Sequence, residues 1–377
     1  MTSLKERLAA LRNHGRIAEI EVLRGLAVIG VLIEHAPLNL VFWHSRLVDF
    51  EQRYARFWVG VDLFFAISGF VIARSLLPVL DAGGWLEAVR FWIRRAWRLL
   101  PSAWLWLAIP LALTLAFNRS GAFGPFRASY EAAVAAVLEV ANFHLAGTFG
   151  RAPSGVSFPY WSLSLEEQFY WVLPIAALLL RARIIWAVAL VAAMQVWAPH
   201  TPLAMVTRSG AIALGVLLAI WSGRPSWQAM APLGLAKSRG ARCAVLGGTV
   251  LLLGALGSDE LQIASFRLAL IALLCAALVW LASYDSSLLC RPGALRRTMA
   301  WIGARSYAIY LIHVPVYFAA HELWFRLHGA TPPRAAAAWL YAAAAVAAIL
   351  LLSDANWRWI ETPLRRRGAA IAAGFAR

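Results

Sequence analysis

Long apolar runs, separated by short polar and basic segments, follow one another along the 377 residues of the chain. A helix needs about 20 apolar residues to cross the hydrocarbon core of a bilayer. The pattern therefore predicts an all-α, polytopic bundle of about ten transmembrane helices, with a further stretch at 130–146 that is shorter or re-entrant. The ten predicted spans lie near residues 20–41, 57–78, 99–117, 159–180, 184–199, 206–222, 243–257, 263–284, 302–322 and 336–353.

The basic residues indicate how these spans are oriented. The net charge is +16, and most Lys and Arg residues fall in segments that share one side of the membrane with the N-terminus. The positive-inside rule then places an N-terminal segment (1–16) and a C-terminal tail (365–377) in the cytoplasm. Counting 130–146 as a full span would remove this bias. Clusters of this kind suit topology and anionic lipid, so no nucleic-acid partner is expected.

Composition favours a single membrane domain over residues 1–377. Hydrophobic residues make up 61% of the chain and charged residues 14%, whereas a soluble domain has about 25% charged residues. The longest segment predicted to be non-helical, about 118–158, carries Gly, Pro and Arg and is predicted to be an extracytoplasmic loop, and no appended esterase-like domain is expected. The three cysteines lack the paired spacing of a zinc site or a disulfide framework, so no metal is predicted.

The first predicted span contains two ionisable residues that share one face, Arg24 and His35. Their separation corresponds to about 16 Å along a helix. Ionisable groups inside a bilayer are costly and usually functional. Arg24 could hold an anionic donor near the cytoplasmic end, while His35 does proton chemistry deeper in the bundle. Alternatively, Arg24 pairs with Glu21 or extends to the interface, and His35 is an interhelical hydrogen-bonding residue.

A basic cluster follows the second span in the segment VRFWIRRAWRLLP. Arg95 and Arg98 lie three positions apart, on one side of a helix start, and Arg94 adds a third guanidinium. Such a cluster can grip phosphate through bidentate hydrogen bonds. The alternative is charge that only fixes the topology.

Three polar residues form a stripe on the otherwise apolar fourth span: Ser162, Glu166 and Tyr170. They recur every four positions and therefore share a helix face. A buried carboxylate at Glu166 could orient an imidazole, accept a proton or bind a hydroxyl group. It could instead form half of a buried ion pair with an arginine such as Arg208.

Weaker patterns occur in three other spans. Ser68 precedes Gly69 in the second span, where small residues usually allow close helix packing. Tyr310 and His313 share a face of the ninth span and could line a site or only pack in the core. Glu361, in the segment that ends the last span, is expected to have a structural role.

Taken together, these segments resemble the membrane-bound acyltransferase family 3, bacterial enzymes that O-acylate surface polysaccharides and similar acceptors. The matching stretches are LRGLAVIGVLIEH, GVDLFFAISGF, FWIRRAWRLLP, YWSLSLEEQFYWVLP, SYAIYLIHVPV and WIETP, in the order that the family has them. They extend from the first span to the last.

The resemblance implies a multi-pass protein of the bacterial cytoplasmic (inner) membrane that takes an acyl-CoA donor, usually acetyl-CoA, from the cytoplasm. It implies that His35 is catalytic, that Arg24, Arg95 and Arg98 bind the donor, and that Glu166 belongs to the site. His35 would act as general base on an acceptor hydroxyl or form a transient acyl-imidazole. Many relatives carry an extracytoplasmic domain that completes transfer, so direct transfer and a separate partner transferase both stay open.

Two other classes of protein fit the same pattern. A transporter or flippase for a polar or lipid-linked substrate also needs buried charges and about ten helices, although no inverted repeat is visible. A catalytically silent assembly or sensor protein is the other alternative. The acceptor, whether glycan, glycolipid or small molecule, is not specified by the sequence.

Overall fold

The computed structural model describes residues 17–41, 45–197, 201–261, 263 and 266–375, and no strand occurs among them. The prediction of an all-α chain is therefore confirmed for this part of the protein. The helices are α1 (Ala18–Asn39), α2 (Arg46–Tyr54), α3 (Gly60–Ala116), α4 (Phe126–Val137), α5 (Ala141–Thr148), α6 (Tyr160–Leu180), α7 (Ile184–Met194), α8 (Pro202–Val206), α9 (Gly210–Ser222), α10 (Pro225–Ala229), α11 (Leu233–Lys237), α12 (Arg239–Gly257), α13 (Arg267–Ser283), α14 (Ala294–Ala304), α15 (Ser306–His328), α16 (Ala335–Asn356) and α17 (Thr362–Gly374).

Five helical stretches of the described chain are long and apolar enough to cross a bilayer. They are Gly60–Ala116, Tyr160–Trp197, Pro202–Ser222, Arg239–Gly257 and Ala336–Gly374, while Arg267–Ser283 is apolar but shorter. Helices α1 and α15 are not among the five, although each coincides with a predicted span. Both helices carry several charged or imidazole side chains, which are the groups expected in a site.

Helix α3 joins two predicted spans, 57–78 and 99–117, into one helical element of 57 residues. Such a helix would be about 86 Å long if straight, nearly three times the thickness of the hydrocarbon core. It is broken at Gly84, where φ is 57° and ψ is −138°. The sequence placed Arg95 and Arg98 at a helix start after the second span, and this was wrong: both lie well inside the second arm of α3.

The stretch 130–146 forms two short helices, α4 and α5, rather than one span. They have 12 and 8 residues, or about 18 and 12 Å, so neither crosses a bilayer alone. The break falls at Glu139, whose φ of 57° ends the first helix. The amide of Gln168 on α6 holds this turn by donating to the carbonyl oxygen of Glu139 at 2.8 Å.

The first arm of α3 packs closely against α9. A Cβ on Gly69 would overlap the carbonyl oxygen of Ile212, and one on Gly215 would overlap that of Ala66. Glycine at both contact points lets the two backbones approach, as small residues do in membrane helix pairs. Gly69 therefore serves packing, which leaves its neighbour Ser68 free to face the other side of α3.

A buried ion pair also ties these elements together. The guanidinium of Arg208 donates to both carboxylate oxygens of Asp62, at 3.0 and 3.1 Å from Nε. It lies between the rings of Trp58 and Trp161, 4.9 and 4.8 Å from their centroids. Arg208 thus pairs with Asp62, and the suggested pairing with Glu166 does not occur.

Candidate functional site

A polar cavity of about 100 Å³ lies where α1, both arms of α3, α6 and α15 meet. Seven of the nine candidate residues line it, and two, His35 and His313, do not. The seven are Arg24, Ser68, Arg95, Arg98, Ser162, Glu166 and Tyr310. Its volume is below the ~300 Å³ of a small drug-sized ligand pocket, so it suits the end of a ligand whose bulk lies outside.

Arginines from three helical segments line this cavity. Arg24 comes from α1, Arg95 and Arg98 come from the second arm of α3, and Arg365 comes from α17. Arg95 lies over the rings of Phe91 and Tyr170, at 5.3 and 5.2 Å from their centroids. Such stacking holds the planar guanidinium in place and leaves its edge available for hydrogen bonds to an anion.

Close packing of α1 against α14 fixes the position of Arg24. A Cβ on Gly25 would lie 2.6 Å from the carbonyl oxygen of Met299, and one on Gly303 would overlap that of Glu21. Arg24 also pairs with Glu21, Nη1 to Oε1, at 3.1 Å. The arginine therefore makes the ion pair that the sequence suggested and lines the cavity as well.

Glu166 is the acidic residue of the cavity on α6. Its two carboxylate oxygens accept hydrogen bonds at 2.9 Å from the hydroxyl groups of Ser68 and Tyr170. These bonds fix the carboxylate beside the arginines, so its charge partly offsets theirs. The hypothesis that Glu166 orients His35 is wrong for this geometry, because the described hydrogen bonds of Glu166 are to hydroxyl groups.

Ser162 and Tyr310 lie on the wall formed by α6 and α15. Their hydroxyl oxygens are 2.7 Å apart, and the Tyr310 hydroxyl also lies 2.9 Å from the carbonyl oxygen of Pro159, to which it donates. Both residues are buried. The Ser162 hydroxyl thus bonds to a neighbouring helix.

His35 lies on the same helix as Arg24 but outside the cavity. Its Nδ1 is 2.7 Å from Nε2 of His313, and the two rings are nearly parallel at an interplanar angle of 11°. The ring of Phe158 packs against His35 at an interplanar angle of 83°, with ring centroids 5.2 Å apart. Tyr310 connects the two places, since its side chain lines the cavity and its carbonyl oxygen lies 2.7 Å from Nδ1 of His313.

Sequence reasoning missed the contribution of the segment after α16. Trp357, Glu361 and Arg365 line the cavity, together with Tyr307 of α15. Glu361 was assigned a structural role; its carboxylate does accept a hydrogen bond of 2.9 Å from Asn356, yet it also faces the cavity. The one available signal was a glutamate in an apolar helix end, within the segment WIETP.

Charged groups also cluster close to His35 in sequence, around Glu34. Its carboxylate accepts from Arg56 Nε at 2.9 Å and from the backbone amide of Phe57 at 2.7 Å. Glu51, on α2, faces this pair, and neither of its carboxylate oxygens has a hydrogen-bond partner in the described structure. Burial, with added repulsion from Glu34 and opposed by Arg56, raises the pKa of Glu51 to about 7.

The described residues contain no group of three or more His, Cys, Asp or Glu side chains placed to hold a metal ion. What the cavity offers instead is several cations and two carboxylates beside hydroxyl groups. Such a set can bind a phosphorylated or otherwise anionic ligand.

Comparison with known proteins identifies the family. A family model described as an acyltransferase domain, of the acyltransferase 3 type, matches residues 17–355. The chain is 28% identical to the peptidoglycan O-acetyltransferase OatA of Listeria monocytogenes over 93% of its own length. It is 26% identical over 95% of its length to the putative peptidoglycan O-acetyltransferase YrhL of Bacillus subtilis.

These similarities cover only part of each relative. The chain spans 56% of the length of both OatA and YrhL, and 58% of a putative O-acetyltransferase of Staphylococcus aureus with which it is 27% identical. No solved structure matches the chain. Because the family model covers nearly the whole sequence, the chain belongs to the acyltransferase 3 family of membrane proteins.

Proposed function

We propose that the protein transfers an acetyl group from cytoplasmic acetyl-CoA to a hydroxyl group of an extracytoplasmic glycan or similar acceptor. The observation that carries this proposal is that one cavity beside α1 is lined by Arg24, Arg95 and Arg98, while His35 lies further along α1. Family membership supports acyl transfer, and the names of the relatives support a cell-wall glycan as the acceptor.

In the proposed topology about ten helices cross the bacterial cytoplasmic membrane, and both termini lie in the cytoplasm. Each predicted span coincides with a helix or with one arm of α3, which supports this number. The arginine end of the cavity then faces the cytoplasm, and His35 lies towards the opposite side. Acetyl-CoA and acceptor approach from different compartments.

The donor is bound by charge. The arginines hold the CoA phosphates through charge-assisted hydrogen bonds, and the small cavity takes the pantetheine arm with its thioester. Binding the phosphates at a fixed distance from the reacting carbon positions the thioester, and positioning of this kind lowers the barrier to transfer.

His35 performs the chemistry by one of two routes. As general base it takes the proton of the acceptor hydroxyl while the hydroxyl oxygen bonds to the acyl carbon, the C–S bond breaks and CoA leaves as a thiolate that is then protonated. As nucleophile its ring nitrogen first bonds to the acyl carbon while the C–S bond breaks and CoA leaves as a thiolate that is then protonated. The acceptor oxygen next bonds to the acyl carbon, the C–N bond breaks, and the hydroxyl proton passes to the freed imidazole and from it to water. A separate extracytoplasmic transferase is a candidate acceptor of the acyl group.

Radiolabelled acetyl-CoA given to the purified protein in vesicles tests this proposal. We expect release of free CoA, or label on the protein, when acetyl-CoA reaches the cytoplasmic face of inverted vesicles but not when it is outside right-side-out vesicles. The His35→Gln variant should lose at least about 100-fold in rate, and the matched His321→Gln variant should not. Absence of both CoA release and label in the wild-type protein contradicts the proposal.

A further inference from the structure

His313 is fully buried and every nitrogen of its ring has a partner. Its Nε2 is 2.7 Å from Nδ1 of His35, and its Nδ1 is 2.7 Å from the carbonyl oxygen of Tyr310. His313 has 0% exposure, whereas His35 is partly exposed. Among the described residues, the one ring nitrogen of the pair without a hydrogen bond is Nε2 of His35.

These contacts fix where the protons are. A carbonyl oxygen only accepts hydrogen bonds, so Nδ1 of His313 carries a proton and donates to Tyr310. A neutral imidazole carries one N–H, so Nε2 of His313 is an acceptor. The partner nitrogen, Nδ1 of His35, must then donate. His35 is left with an unprotonated Nε2.

Both rings are neutral in this arrangement because their surroundings are apolar. The rings of Tyr310 and Tyr317 pack around His313, with centroids 5.6 and 5.9 Å away, and the ring of Phe158 packs against His35. In the described chain no carboxylate hydrogen bonds to either imidazole. A buried positive charge without a counterion is costly.

The contact between α1 and α15 holds the two rings in register. The hydroxyl of Tyr317 donates to the carbonyl oxygen of Leu32 at 3.0 Å, one turn before His35. Because Tyr317 lies one turn after His313, this bond and the imidazole pair lie side by side across the same helix interface. Sliding of one helix would break both contacts.

We propose that His313 is a positioning residue that holds His35 in the tautomer with a proton on Nδ1 and a lone pair on Nε2. Its catalytic consequence rests on the proposed function, since Nε2 is then the atom that takes the acceptor's proton or receives the acyl group. In serine hydrolases the residue that fixes the histidine tautomer has the same role, and its loss there lowers kcat by about 10⁴-fold.

The tautomer is measured by ¹⁵N NMR on the full chain in lipid nanodiscs with ¹⁵N-labelled histidine. Protonated and unprotonated imidazole nitrogens have separate shifts, and the His35 signals are those missing from the His35→Gln variant. We expect a protonated Nδ1 and an unprotonated Nε2. In His313→Leu, His35 should be a mixture of tautomers. In His313→Gln it should return to the tautomer protonated on Nδ1, because the glutamine amide oxygen can accept the hydrogen bond from Nδ1 of His35. A proton on Nε2 in the wild type, or an unchanged His35 spectrum in His313→Leu, overturns the proposal.

Kinetics test the catalytic consequence separately. In His313→Leu, kcat for CoA release should fall on the order of 10²-fold with the KM for acetyl-CoA unchanged, because His313 does not line the donor cavity. His313→Gln should keep most of the wild-type kcat, and the control His321→Gln, on the same helix, all of it. Wild-type kcat in His313→Leu overturns the positioning role. If the NMR spectra show the expected tautomer but the wild-type protein releases no CoA, the assignment of the His35 tautomer holds and the proposed function is contradicted.

Discussion

The hydroxyl oxygens of Ser162 and Tyr310 lie 2.7 Å apart, buried where α6 meets α15. The backbone carbonyl of the same tyrosine accepts a hydrogen bond from Nδ1 of His313. One residue therefore joins the wall of the cavity to the imidazole pair, so both places depend on how α15 packs.

Tyr310→Phe should lower the free energy of unfolding by about 1–3 kcal/mol, because the buried Ser162 hydroxyl and the Pro159 carbonyl oxygen each lose a hydrogen bond to the Tyr310 hydroxyl. Thermal unfolding in detergent measures the change. The Tyr310→Phe, Ser162→Ala double variant should lose less free energy of unfolding than the sum of the losses in the two single variants, since the two hydroxyl groups share one hydrogen bond. Additive losses would contradict the coupling.

Arg95→Gln and Arg98→Gln should each raise the KM for acetyl-CoA by about 10-fold or more, since each removes a charged donor to phosphate. We expect a smaller effect on kcat because the reacting carbon is distant from these groups. Steady-state CoA release measures both constants. Arg224→Gln is the matched control, as Arg224 is exposed and outside the cavity. An equal rise in KM for this control would indicate that Arg95 and Arg98 only fix the membrane topology.

Glu166→Gln should lower the KM for acetyl-CoA and lower kcat by roughly 10-fold. The uncharged amide no longer offsets the arginines, so the anionic donor binds more tightly. The amide nitrogen cannot accept the hydrogen bond that Ser68 or Tyr170 gives to the carboxylate, and this loosens the site. A raised KM would show that Glu166 does not act through charge.

Gly303→Ala should reduce the free energy of unfolding by about 1–3 kcal/mol, because the new Cβ overlaps the carbonyl oxygen of Glu21 and pushes α14 from α1. Gly247→Ala is the control: a Cβ there meets nothing within 4 Å. Because Gly247 lies inside a helix, this substitution should raise the free energy of unfolding by about 0.5–1 kcal/mol. Equal unfolding temperatures for the two variants would show that the close approach is unimportant.

Glu51→Gln should stabilise the protein at pH 8 more than at pH 5. With its pKa raised to about 7 in the folded state, Glu51 binds more protons when folded than when unfolded between about pH 4.5 and 7. Wild-type stability therefore falls as pH rises through this window and then levels off. Unfolding temperatures of both proteins across the window measure this. Parallel curves would mean that Glu51 titrates as an exposed glutamate does.

The sequence alone determined which segments become apolar helices and which of their residues face the same way. Hydropathy and helical period are local properties, so the positions of the predicted spans and the shared face of Ser162, Glu166 and Tyr170 did not require the tertiary structure. Arg24, Arg95 and Arg98 were grouped as donor ligands through the family resemblance. Their catalytic and binding roles stay predictions.

Only the tertiary structure decided which side chains are partners. Glu166 bonds to Ser68 and not to His35, and His35 pairs with His313, 278 positions away along the chain. Such pairings depend on helix crossings, which side-chain packing sets and hydropathy does not report. For the same reason Glu361, at the far end of the sequence, could be placed in the cavity only after α17 was seen to pack against α3.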